Sequence, residues 1–306
     1  MTLRYPAPVM SFDDFGVLYL AFGHSKYLDE AAASARSVHR HMPQIRIACI
    51  TDLQASGYPF ELIHMEMNPR SARFGTRAGF FMKILALGRT PFKNTLYLDG
   101  DTYCCRPLWE MLSALLHSDL VGVHAPLHTT LEWSNDQQVL ASLTKRAFIP
   151  HINTGVLAYR NTPEVRAFIG CWADVFENRF PGDVKDYHDQ VVFQEAVARS
   201  KLKCMFLTSE FNLRVSRIAT LHGPVRVLHG RPARGFERIE RLCNQGVYER
   251  TVVPHTAVIR ADGPDIVVSD ASGGEVRRFS YAAFRRQLLA ADSSRDVDAS
   301  DARTRE

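Results

Sequence analysis

Two carboxylates one residue apart, Asp99 and Asp101, stand at the end of an apolar run, Thr95-Leu96-Tyr97-Leu98. Such a pair makes a hard oxygen site. It suits Mg²⁺ or Mn²⁺, with a substrate's phosphates filling the remaining positions. The chemistry would be that of a divalent ion clamping a diphosphate. The run before Asp99 is β-prone with no polar break, as in a strand buried on both faces. Gly100 allows a tight bend that sends both carboxylates off one side. The carboxyl ends of strands are where open α/β sheets bind ligands. Pro107 followed by Leu108-Trp109-Glu110-Met111-Leu112 reads as a helix with proline near its start. Asp-Gly-Asp can also be an ordinary solvated turn. The buried strand before it and the helix after it favour an ordered site.

Other segments carry groups that could join it. Val225 to Leu228 reads as a last core strand and delivers His229-Gly230-Arg231. His229 could be a third metal ligand, since imidazole suits Mn²⁺ beside carboxylates; a lone histidine can equally be structural. Gly230 would let the backbone approach a phosphate, and Arg231 could pair with it bidentately. Asn153-Thr154-Gly155 opens another apolar strand. Asn153 can offer both donor and acceptor groups to sugar hydroxyls, or serve simple turn chemistry. Asp189-Gln190 opens a helix. It would place a carboxylate or amide beside a reacting sugar carbon, or complement the helix dipole. Arg73, Arg77 and Lys83 are candidates for base, ribose or phosphate contacts, or for plain surface charge. A helical register puts Arg73 and Arg77 on one face.

The elements that must position these groups follow a recognisable order. Val17 to Phe22 is a strand, Lys26 to His41 a helix and Ile45 to Thr51 a strand. This β-α-β unit implies a parallel sheet with a right-handed crossover. The Phe22-Gly23-His24 loop lies at a strand's carboxyl end and is read as part of a nucleotide pocket. No G-x-G-x-x-G follows, so a dinucleotide site is not supported. Glu61 to Met67 and Leu120 to His124 are further strands, and Gly79 to Leu87 a helix. Thr162 caps a helix that has Pro163 in its first turn and runs to about Asn178. The mixed stretch 125–150 would lie over the sheet and carry acceptor contacts.

At 306 residues the chain holds one large domain or a domain with an appendage. The expected division is a lead-in over 1–15, a catalytic domain over 16–232, a small α+β appendage over 233–290 and a disordered tail over 291–306. The appendage would have short strands at Val252-Val253 and Ile266 to Val268, then a helix from Tyr281 to Leu289. No apolar run reaches the ~18 residues of a membrane span, and no signal-peptide pattern is visible. Six cysteines without zinc or redox spacing read as free thiols in a reducing cytoplasm. A net charge of +4 is too small to argue for nucleic acid. The basic surplus from Arg199 to Arg250 would suit a diphosphate, an anionic membrane surface touched peripherally, or a solvated face.

Taken in register, Tyr97-Leu98-Asp99-Gly100-Asp101-Thr102, Asn153-Thr154-Gly155-Val156, Asp189-Gln190 and Leu228-His229-Gly230 resemble the motifs of GT-A glycosyltransferases. The likeness is strongest to glycosyltransferase family 8 and related nucleotide-diphospho-sugar transferases, over about residues 15–232. It implies an α/β fold, a mostly parallel GT-A sheet flanked by helices. It also implies Mn²⁺ (or Mg²⁺), a nucleotide-sugar donor with UDP the family's commonest, and an unidentified acceptor: a glycan, lipid-linked, protein or small-molecule hydroxyl. Asp99, Asp101 and His229 would hold the metal, with Asp101 the more direct ligand and Asp99 also near the ribose. Asn153 and Asp189 would hold the donor sugar, and Gln190 would sit near its anomeric carbon. Phe22 and Gly23 would line the base, and Arg77 would reach the donor. Arg73, Lys83, Gly100, Gly155, Gly230 and Arg231 complete the expected donor site. The family's His-x-Gly-x-x-Lys is here His229-Gly230-Arg231, so Arg231 is expected to take the lysine's place. Retention of anomeric configuration is implied, either by double displacement with Asp189 as nucleophile or by front-face attack.

Two other readings compete. Haloacid-dehalogenase-like phosphohydrolases also use Asp-x-Asp-Thr, which would make Asp99 the nucleophile and Asp101 the acid/base. Gly182-Asp183-Val184-Lys185-Asp186 resembles their later motif, although no strand feeds it. That class leaves Asn153 to Gly155 and His229 unexplained. The other reading is a non-catalytic sugar-nucleotide binder, for which three intact metal ligands would be unnecessary.

Overall fold

The structure is a computed structural model that describes residues 14–125, 151–180, 188–232, 235–244, 249–253, 257–262, 265–270 and 275–280. The first unit is β1 (Phe15–Ala21), α1 (Ser25–His41) and β2 (Arg46–Thr51), followed by β3 (Glu61–His64). Next come a 3₁₀ segment (Pro69–Arg77), α2 (Ala78–Leu87), β4 (Asn94–Leu98), β5 (Thr102–Cys104), α3 (Trp109–Ser113) and β6 (Leu120–His124). Then follow β7 (Ile152–Arg160), α4 (Pro163–Arg179), α5 (Asp189–Arg199), β8 (Cys204–Leu207), β9 (Leu213–Arg214), β10 (Ala219–Leu221) and β11 (Val227–His229). The remaining elements are α6 (Phe236–Asn244), β12 (Arg250–Val253), β13 (Ala257–Asp262), β14 (Asp265–Asp270) and β15 (Glu275–Ser280).

The main sheet has the order β3-β2-β1-β4-β7-β6-β8. All its strands run one way except β7, which is antiparallel to both β4 and β6. This arrangement matters for the site. It sets the amino end of β7, with Asn153 to Gly155, beside the carboxyl end of β4, where Leu98 pairs with Val156.

Strand alternation sorts β1 into two layers. Val17, Tyr19 and Ala21 meet Leu28, Ala31, Ala35 and Val38 of α1 on one face. Leu18 meets α2 and α4 on the other, among Phe81, Ile84, Phe168, Trp172 and Phe176. Each such buried side chain contributes roughly 1.5–3 kcal/mol of transfer free energy. The aromatic layer also aims the site. Trp172 packs edge-on against Phe193 of α5, with ring centroids 4.7 Å apart. Its indole N–H donates to the Asp189 carbonyl at 3.0 Å, which fixes where α5 begins.

Two expectations need correction here. Val227 to His229 do not form a strand of the main sheet. β11 is the centre of a separate three-stranded sheet, β5-β11-β9. Its partners are the short strands on either side of the site, because β5 leaves β4 through the Asp99-Gly100-Asp101 turn. Nor do Arg73 and Arg77 share a helical face. Their segment is 3₁₀ and is broken at Gly75, whose φ of 52° lies in the left-handed region that glycine favours.

A third sheet has the order β10-β12-β13-β14-β15. Through β10 it draws in residues that precede position 232. Cys243 and Val252 pack with Tyr103, Leu213 and Leu228 in one apolar cluster. The expected lead-in up to residue 13, the stretch 126–150, the acidic segment 181–187, the 281–289 helix and the tail all lie outside the described residues.

Candidate metal and donor site

A cavity of about 530 Å³ opens over the carboxyl ends of β1 and β4. Three ligand-capable groups, from Asp99, Asp101 and His229, lie within 4.8 Å of one another in it. Sheet register brings them together. His229 pairs with Thr102 across β11 and β5, one residue past Asp101. The turn is clamped on both sides: Asp99 N–H donates to the Gly155 carbonyl at 2.8 Å, and Gly230 N–H donates to the Asp101 carbonyl at 2.9 Å. His229 Nε2 lies 3.6 Å from Asp99 Oδ2 and 3.3 Å from Asp101 Oδ1.

A chain of amides orients that imidazole. Gly155 N–H donates to Asn153 Oδ1 at 3.0 Å, which fixes the Asn153 amide. Asn212 Nδ2 donates to the same oxygen at 2.8 Å. The carbonyl oxygen of Asn212 therefore accepts from His229 Nδ1–H at 2.9 Å. Nε2 is left facing two carboxylates. A lone pair and two anions pointed at one place need a cation there, whether a proton on Nε2 or a metal ion. Metal-ligating imidazoles usually donate their other N–H to a carbonyl or carboxylate in this way. The donor set thus fits a divalent ion of the Mn²⁺ or Mg²⁺ type. Burial works to raise the Asp101 pKa, yet His229 and Arg231 hold it well below the usual carboxylate range.

The same chain continues away from the triad. Asn153 Nδ2 donates to Gln190 Oε1 at 2.8 Å, and Gln190 Nε2 meets His151 Nδ1 at 3.1 Å. Asn153, Gln190 and Asn212 are all buried and all line the cavity. Lys83 ties the two halves together. Its Nζ lies 3.1 Å from Asp99 Oδ1 and 3.1 Å from Asp189 Oδ2. Asp189 Oδ2 also accepts from the Thr154 hydroxyl at 2.6 Å, and Asp99 Oδ1 from the Tyr97 hydroxyl. Burial opposes both charges of the pair. Even so, mutual attraction lowers the Asp189 pKa, with help from Thr154, and the two carboxylates raise that of Lys83.

The glycines are set by space more than by turn chemistry. A Cβ on Gly155 would lie 2.3 Å from His229 Cε1 and 2.5 Å from Asp99 Oδ2, so Gly155 is the floor on which the triad rests. Gly100 packs on α1, where a Cβ would come within 3.2 Å of the Ala31 nitrogen. Close packing is thus its role, rather than the expected bend freedom. Gly230 does adopt a left-handed φ of 126°, but its N–H serves Asp101. Phe22 lines the cavity, while Gly23 N–H donates to Asp52 Oδ1 at 2.8 Å.

Two basic residues stand elsewhere than expected, and a third is already engaged. Arg73 does not line the cavity. It pairs with Glu177 at 3.0 Å, because the break at Gly75 turns it toward α4. Arg77 lies over the Phe80 ring, 5.9 Å from its centroid, and is likewise outside the lining. Arg231 is in the cavity but already doubly engaged. Its guanidinium makes two 2.7 Å hydrogen bonds to Glu30 and lies 3.0 Å from Asp101 Oδ2. Sequence reasoning had no role for Asn212, Glu30, His151 or Arg214. Asn212 closes the Glu210-Phe211-Asn212 stretch after an apolar run, but only the fold aims it at His229.

No protein-family model and no curated protein matches the sequence. Solved structures do match in fold. The galactosyltransferase LgtC, crystallised with donor and acceptor sugar analogues, aligns with a TM-score of 0.50 at 16% identity, over 71% of this chain and 87% of LgtC. An active-site mutant of LgtC gives 0.51 at 17% identity, over 71% and 88%. The bifunctional glycosyltransferase WbbM gives 0.50 at 15% identity, over 69% of this chain and 41% of WbbM. The chain therefore has the GT-A fold of nucleotide-sugar glycosyltransferases. Nothing in these likenesses favours the phosphohydrolase reading.

Proposed function

We propose that this protein is a metal-dependent glycosyltransferase that moves a sugar from a nucleoside-diphosphate donor, a UDP-sugar, to an acceptor hydroxyl with retention. The observation that carries the proposal is the convergence of Asp99, Asp101 and the oriented Nε2 of His229 at one point of the cavity. A non-catalytic binder would have no use for so complete a ligand set.

Asp99, Asp101 and His229 hold the ion, Mn²⁺ by preference for its tolerance of imidazole. When bound, the ion supplies positive charge against the diphosphate leaving group. Phe22 and Tyr27 form the aromatic wall for the base. Asn153 and Gln190 present amides to the donor sugar, held in place by each other and by His151. Lys83 holds Asp99 and Asp189 in place and favours the ionised form of Asp189. Because Asp189 Oδ2 is shared between Lys83 and Thr154, we read Asp189 as a positioning counter-ion and favour front-face attack over double displacement. The acceptor is a glycan, lipid-linked, protein or small-molecule hydroxyl. No helix among the described residues is long and apolar enough to cross a membrane. The six free thiols suit a reducing cytoplasm.

The test is a thermal-shift panel of UDP, GDP, CDP and ADP, each with Mn²⁺ and with EDTA. A ligand at 100 times its dissociation constant adds ~2.7 kcal/mol to native-state stability. UDP should stabilise the chain with Mn²⁺ and lose that effect in EDTA. UDP-sugar hydrolysis should then be detectable without an acceptor, and NMR of the first-formed sugar anomer reads retention. Stabilisation by none of the nucleotides in Mn²⁺ would defeat the proposal.

A further inference from the structure

Among the described residues, the charges lining the cavity comprise four carboxylates and four cations. The carboxylates are accounted for within the protein: Asp99 and Asp189 by Lys83, Asp101 and Glu30 by Arg231. Arg214 and Arg217 also line the cavity, and neither has a carboxylate partner among the described residues. Arg217 is exposed and solvated, but Arg214 is not. Its Nε is buried with no hydrogen-bond acceptor. Backbone register fixes which way it faces. Arg214 in β9 is paired with His229 in β11, a parallel pairing in which directly paired residues project from the same face. The Val215 N–H donates to the His229 carbonyl at 3.0 Å and locks that register. The guanidinium thus belongs to the side chain next to His229, and among the described residues no carboxylate lies within ion-pair distance of it.

A partly buried guanidinium with no carboxylate paired to it is costly, since arginine does not give up its proton. Burial pulls the Arg214 pKa down, only partly offset by Asp99 and Asp101. Such a residue is tolerated when a ligand brings the charge. With the four cations and four carboxylates in balance, a divalent ion on the triad leaves a surplus that matches a doubly anionic diphosphate. We infer that Arg214, and not Arg231, is the arginine that binds the donor's diphosphate beside the metal ligands. This rests on the donor reading given above. Arg231 is left to orient Asp101.

The experiment uses the full chain, with Mn²⁺ alone followed by electron paramagnetic resonance and pyrophosphate in Mg²⁺ followed by calorimetry. Hydrogen bonds to charged groups are worth ~1.5–3 kcal/mol, so Arg214→Met should weaken pyrophosphate by about 10- to 100-fold. Mn²⁺ affinity should not fall. Arg214→Lys should recover part of the pyrophosphate affinity, since it restores charge without the fork. Unchanged pyrophosphate binding in Arg214→Met would overturn the assignment and leave the donor site standing. An equal loss of Mn²⁺ and pyrophosphate would also overturn it, as the sign of a distorted triad. If the wild type binds Mn²⁺ but no pyrophosphate, the diphosphate reading itself falls, and the role of Arg214 with it.

Discussion

Asp101 and Asp189 line the same cavity and meet opposite fates. Asp189 is 4% exposed and closes its charge within the protein, on Lys83 and Thr154. Asp101 points with Asp99 at His229 Nε2 and shares Arg231 with Glu30, so its charge is only partly met within the protein. Asp99 belongs to both: one oxygen goes to Lys83 and Tyr97, the other to the triad. A self-neutralised cluster is scaffold, and an incompletely neutralised one is a ligand site. Net charge does not separate them; what does is whether each charged atom already has its partner.

This contrast can be broken at several points. The largest effect is expected for Asp101→Ala, which should lower transfer and donor hydrolysis by about three orders of magnitude or more, the scale of several kcal/mol of lost charge stabilisation. The metal-free melting temperature should barely move. A variant that keeps wild-type turnover would remove the triad from the chemistry.

Lys83→Met should do the reverse and act first on stability. Removing one partner of a buried pair costs about 3–5 kcal/mol, read by urea unfolding. The double variant Lys83→Met/Asp189→Leu should regain at least about half of that, because no buried anion is left at position 189. If the single variant is as stable as wild type, the scaffold role of the pair is wrong.

A smaller effect is expected at Asn212. Asn212→Leu leaves His229 without its orienting carbonyl and should weaken Mn²⁺ by about 10- to 100-fold, the usual range for residues that orient a metal ligand. Nitrogen-15 NMR of the His229 imidazole should show a mixed tautomer in the metal-free variant and a single one, protonated at Nδ1, in metal-bound wild type. An unmixed tautomer with wild-type Mn²⁺ affinity would leave Asn212 a packing residue.

The smallest effect is in pH dependence. Asp189 has a lowered pKa, so its contribution to stability is complete above the unfolded value of ~3.9 and is lost as pH falls through the folded one. Lys83 has a raised pKa, so its contribution is complete below ~10.4 and is lost as pH rises past the folded value. Stability from this pair should be level between those limits. In Asp189→Asn the acid-side loss should shrink. An unchanged acid limb would place the charge dependence elsewhere.

Local pattern in the chain was enough for the β1-α1-β2 unit, the strand into Asp99, the helix after Pro163 and the helix that starts at Asp189. Apolar spacing and capping residues are short-range signals, and each of these elements is amphipathic or wholly buried in the expected way. The residue types of the triad were also legible, since two carboxylates after a buried strand and a histidine before a glycine announce their chemistry locally. Partnership was not legible. Arg231 reads as a phosphate ligand in the chain, and only the fold shows that Glu30, some two hundred positions away, engages it. Lys83 looked like surface charge or a donor contact until it was found between Asp99 and Asp189. Arg214 gave no signal at all, because its importance comes from the strand register that sets it beside His229. Sequence alone thus determined which groups could carry chemistry and which segments would hold them. Only the tertiary structure decided which charges are already paired, because pairing depends on distances between residues that the chain keeps far apart.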